Sequence, residues 1–199
     1  MGLVVFAAMG LYLLISIGVV KGAIGYAREK GKSARRWGWS AALVMWLIPF
    51  WDWIPTVAMH QYYCATEAGF WVYKTPEQWK KENPGVMETL VAQEIRAPSK
   101  REGDDDNWAN TYSLNQRVLW INKHTGPLLV YRWGLESTLV DSNTNEVLAR
   151  AIDFYTAQVR GGGGWRGWKF WLSLDHCPSH ESDAKRFGDY LTQFKGVKK

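Results

Sequence analysis

Apolar positions are distributed in two different ways along this chain. From Leu3 to Val20 they run without a charge, and the run extends to Tyr26 across Lys21 alone. A second apolar stretch, Trp39 to Met59, carries a single acid, Asp52. A bilayer core about 30 Å thick needs roughly 20 helical residues, so the pattern predicts a transmembrane hairpin over residues 1–59 with a connector at 21–36. Gly18 and Gly22 form a GxxxG pair at the inner end of the first stretch, where close packing of spans matters least.

After residue 60 the apolar positions come in short periods. Phe70–Tyr73 reads as a strand, and Thr75-Pro76-Glu77-Gln78 opens a helix with a capping box. That helix should stop near Asn83-Pro84, with a second over Val86–Arg96. Ala97–Asn110 is polar and reads as a loop, and its Asp104-Asp105-Asp106 lacks the ligand alternation of a calcium loop. Strand formers follow at Arg117–Asn122, Leu128–Trp133, Ser137–Asp141, Glu146–Tyr155 and Trp168–Leu174. Asn145 is placed to take the left-handed conformation of a hairpin turn. Ala184, Phe187, Leu191 and Phe194 give Glu181–Phe194 an amphipathic helical spacing. The expected fold is α+β: a two-helix transmembrane hairpin, then an extracytoplasmic domain over residues 60–199 with an antiparallel sheet and flanking helices.

Charge sharpens this picture. The formal net charge is +5, but Lys21, Arg28, Lys30, Lys32, Arg35 and Arg36 all lie in the connector, leaving 18 Lys and Arg against 17 Asp and Glu over residues 60–199. The basicity is a topology signal, and nucleic acid is not an expected partner. Basic residues in short loops stay cytoplasmic, so both termini should face the periplasm of a bacterial inner membrane. A cleaved signal peptide would carry its positive charge before the apolar run, whereas here the charge follows it. Cys64 lacks the small preceding residues of a lipoprotein site.

Trp37, Trp39, Trp51 and Trp53 mark the membrane interfaces, the level preferred by indole rings. Asp52 lies between Pro49 and Pro55, where a helix break is expected. It reads as an N-cap for a helix from Trp53 to Ala68, the alternative being an intramembrane carboxylate in a proton or ion pathway. Trp165, Arg166, Trp168 and Trp171 follow Gly161–Gly164. They read as a strand after a loose loop, or as a surface for a ligand or lipid headgroups.

Cys64 and Cys177, the only cysteines, both fall on the exported side and are expected to pair. The competing reading is a metal site drawn from His60, Cys64, His176, Cys177 and His180, whose spacing matches no zinc pattern. His124 reads as a turn residue before Thr125-Gly126-Pro127, and no catalytic or cofactor motif is present. The sequence therefore points to a membrane-anchored accessory or scaffold protein whose partners are the bilayer and another envelope protein. The alternative is a membrane-bound enzyme or an ion or proton transport subunit using Asp52 or the His/Cys cluster.

Overall fold

The structure is a computed structural model and describes residues 2–158 and 169–197. Helix α1 (Gly2–Glu29) and helix α2 (Ala34–Phe50) lie antiparallel across a tight connector. The Tyr12 hydroxyl donates to the Met45 carbonyl at 2.5 Å, and Tyr26 meets Trp37 with ring centroids 5.6 Å apart. Gly38 lies against α1, where an added Cβ would come within 3.0 Å of Ile24; Gly18 and Gly22 face open space. The outer surface of both helices is apolar and exposed, from Leu3, Phe6 and Leu11 to Leu43, Val44 and Ile48.

Among the described residues, only α1 is by itself long and apolar enough to cross a bilayer. The second apolar stretch is not one helix: it breaks at Trp51–Asp52 into α2 and α3 (Trp53–Thr66), bent by 58°. Pro49 and Pro55 flank that break and remove two helical amide donors. At about 1.5 Å per residue, the 17 residues of α2 cover roughly 25 Å.

Beyond α3 the chain builds one six-stranded antiparallel sheet in the order β1-β6-β5-β4-β3-β2. Its strands are β1 (Gly69–Val72), β2 (Lys100–Gly103), β3 (Trp108–Ser113), β4 (Val118–Thr125), β5 (Arg132–Asp141) and β6 (Glu146–Thr156). β2 to β6 form a meander, and β1 returns to the free edge of β6. Asn145 turns the β5–β6 hairpin at φ 56°, as its local chemistry demands.

Between β1 and β2, the short helix α4 (Pro76–Glu82) starts on the expected capping box: the Thr75 hydroxyl accepts from Gln78 N, and the Gln78 side chain accepts from Thr75 N. Helix α5 ends early, spanning Val86–Thr89. The expected 97–110 loop contains β2 and the start of β3, joined where Asp104 Oδ1 accepts from the amides of Asp106 and Asn107. The expected strand at Leu128–Trp133 is a 3-10 turn, Leu129–Tyr131, followed by the start of β5. In the described part of 168–174, a 3-10 turn at Phe170–Leu172 replaces the expected strand, with one bridge from Leu174 to Thr156.

The core lies between one sheet face and α6 (His180–Thr192), which buries Phe187, Tyr190 and Leu191 against Trp79, Leu139, Leu148 and Ala149. The Tyr190 hydroxyl donates to the carbonyls of Lys74 and Leu148, and burial raises the pKa of this phenol well above its ordinary value. At the turn end of the β5–β6 hairpin, Asp141 accepts from Trp79 Nε1 at 2.8 Å, from Arg117 Nε at 2.9–3.0 Å and from the Asn143 amide at 3.0 Å. α3 covers the opposite sheet face at β6, with Tyr63 and Phe154 in ring contact and the Arg132 guanidinium 3.3 Å from the Tyr63 centroid.

Candidate functional site

Cys64 at the end of α3 and Cys177 before α6 form a disulfide, with Cα atoms 5.3 Å apart. Both sit at the β6 edge because β1 and Leu174 pair along the same side of that strand. The bridge consumes both sulfurs and divides the metal set considered from sequence. His60 stays beside Cys64, its Nε2 3.5 Å from the sulfur, while His176 and His180 turn to Asp153.

Alternation along β6 places Ala149, Ala151, Asp153 and Tyr155 on the face toward α6. Asp153 is 8% exposed, an acid in an otherwise apolar row. Its Oδ1 accepts the Cys177 amide at 3.0 Å, which fixes the carboxylate, and its Oδ2 meets Nδ1 of His176 and, at 2.9 Å, Nδ1 of His180. The two imidazoles stack at 4.2 Å. One donor atom from each of the three residues lies within 4.8 Å of the others, a set able to hold a metal ion. A groove of about 560 Å³ runs from Asp153 and His180 between the sheet (Trp120, Ser137, Ala151) and α6 (Phe187).

His124 belongs to β4 and not to a turn, and it is 2% exposed. Its Nδ1 meets the Asp106 carbonyl and its Nε2 the Tyr155 hydroxyl, each at 2.9 Å. A carbonyl only accepts, so Nδ1 carries a proton, and the Tyr155 hydroxyl can pair with Nε2 as donor or acceptor. Stacked between Trp108 and Trp133, the ring serves packing in this arrangement.

Asp52 stands at the N-cap position of α3 but makes no side-chain cap. It is 3% exposed, and its Oδ2 accepts from Lys169 Nζ at 2.6 Å. Oδ1 is buried with no hydrogen-bond partner among the described residues. The cap reading is therefore corrected: this carboxylate ties the helix break to the segment that leads to Cys177. Lys169 is the partner that sequence reasoning missed, since 117 residues separate the two. Of the aromatic cluster read from sequence, Trp165, Arg166 and Trp168 lie outside the described residues. Trp171 packs edge-on against Phe50 at 4.8 Å, which carries the same segment to the end of α2.

Asp153 escaped the sequence reading, although an acid in phase with Ala149 and Ala151 is a signal that strand alternation offers. No protein-family model, curated protein or solved structure matches the chain.

Proposed function

We propose that this chain is an accessory or scaffold protein of the bacterial inner membrane, which holds the domain over residues 60–199 on the periplasmic side and presents it to another envelope protein. The observation that carries this reading is the double tie of α3, one at each of its ends. A buried Asp52–Lys169 ion pair and the Cys64–Cys177 bridge hold the sheet domain to α3, which continues directly from the apolar α2. Trp51, Leu128, Leu129 and Phe170 are exposed around that junction, continuing the apolar surface of α2 toward the domain. Such a rim suits the interfacial layer of a bilayer. The basic connector supports the orientation with both termini outside.

Reporter fusions after Gly31 and after Lys199 should read cytoplasm and periplasm respectively, and the reverse pattern sinks the localisation. Gentle detergent extraction followed by identification of co-purifying proteins should recover a stable envelope partner.

One observation favours a transport subunit instead: the unmatched Oδ1 of buried Asp52, because an ionisable group near apolar spans is costly to retain. Asp52→Asn separates the readings. Lost phenotype with intact expression and intact partner recovery selects transport; loss of partner recovery selects the scaffold.

A further inference from the structure

We propose that Asp153, His176 and His180 bind one divalent transition-metal ion of the zinc class. The donor set is two imidazoles and one carboxylate, the combination that suits zinc and its first-row neighbours and that disfavours calcium and magnesium, which take oxygen ligands. The three donor atoms already converge within 4.8 Å. With metal–ligand bonds of about 2.0–2.1 Å, a tetrahedral sphere separates its ligands by roughly 3.3 Å. His180 Nδ1 and Asp153 Oδ2 stand 2.9 Å apart, so a small outward movement of the imidazoles admits the ion.

The frame around these donors is built. Asp153 is anchored in β6 and oriented by the Cys177 amide on its other oxygen, the kind of outer support that fixes a metal-bound carboxylate. His176 adjoins the disulfide cysteine, and His180 opens α6 with its amide bonded to the Cys177 carbonyl at 2.9 Å. Both imidazoles direct Nδ1 to one carboxylate oxygen. Without an ion only His176 hydrogen-bonds that oxygen, His180 Nδ1 standing 2.9 Å away; with one, each imidazole would contribute a lone pair.

Access and vacancy are both provided. The His176 and His180 side chains are 41% and 35% exposed, and the groove under α6 begins at Asp153 and His180. Three protein ligands leave a fourth position for water or a donor atom in that groove, as in zinc sites that remain open. The Cys64 and Cys177 sulfurs are bonded to each other and take no part.

The test uses the full chain purified in detergent, oxidised, stripped with a chelator and desalted. Titration with zinc chloride against a competing indicator should give one ion per chain. His176→Ala and His180→Ala should each weaken it at least about 10-fold, and the double variant should lose stoichiometric binding. An unreacted Cys64–Cys177 pair in thiol alkylation and an unchanged melting transition without metal certify that the variants fold. Cobalt(II) provides a second reading: the wild-type chain should show ligand-field absorption without a thiolate charge-transfer band. The proposal is overturned by absence of stoichiometric zinc, by undiminished binding in the double variant, by equal affinity for calcium, or by a thiolate band.

Discussion

The β5–β6 hairpin carries a buried aspartate toward each end, and the two are satisfied differently. Asp141, at the turn, is matched by an indole, a guanidinium and a backbone amide. These donors hold their protons throughout the working range. Asp153, toward the other end, receives a backbone amide on one oxygen and faces two imidazoles with the other, side chains that can also ligate a metal. A permanent donor set locks a fold, whereas an exchangeable one leaves chemistry open. The disulfide lies at the second end, where side-chain donors are least permanent.

The largest test of that contrast is removal of the staple. Cys64→Ser should cost about 4.7 kcal/mol by chain entropy for a loop near 100 residues, the bridged residues here being 113 apart. Urea unfolding reads the loss. Hydrogen exchange should rise around Asp153 and Cys177 while the amides near Trp79 and Asp141 stay protected. Uniform exposure of both ends would erase the distinction.

Next, Asp141→Ala leaves Arg117 and Trp79 buried without their acceptor and should cost about 3–5 kcal/mol in the same assay. Burial alone would raise the Asp141 pKa, but the hydrogen bonds from Arg117, Trp79 and Asn143 outweigh it and hold the carboxyl below its ordinary value. The unfolded chain therefore binds this proton first on acidification. The stabilisation is complete above the unfolded carboxylate pKa and is lost as pH falls through the lower folded value. Asp141→Asn should flatten the acid limb of the stability curve, and an unchanged limb would remove Asp141 from the account.

Thr75→Ala, which removes the cap of α4, the helix that carries Trp79, should cost about 1 kcal/mol and leave zinc binding untouched. The smallest effect belongs to His176→Ala in metal-free protein, less than about 1 kcal/mol because the imidazole is substantially exposed.

Legibility followed the range of the interaction. The capping box, the Asn145 turn and the amphipathic α6 are written within a few residues each. β2 was missed because all four of its residues are exposed at the sheet edge, so no apolar alternation marks it. β5 was misread because Gly134 interrupts its strand formers. A Cβ there would lie 2.9 Å from the Thr125 hydroxyl and 3.5 Å from the Phe154 ring, so the gap in the pattern records a neighbour. The break at Trp51–Asp52 and the new helix from Trp53 were legible in the flanking prolines. Cys64 and Cys177 were legible as a pair by elimination, whereas Asp52–Lys169 and the Asp153 cluster join residues that only the sheet brings together.

The charged β2 strand also bears on crowding. Proteins confined to a bilayer diffuse in a plane and meet at high effective concentration, and an unpaired strand edge is a template on which a neighbour can nucleate aggregation. At one margin this sheet offers only Lys100, Arg101, Glu102 and Gly103, all solvent-facing; the opposite margin is β1, where Trp71 and Val72 are exposed. A second copy adding itself at the β2 margin would have to desolvate three charges along so short a strand. The charged margin therefore disfavours strand addition by a second copy on the β2 side.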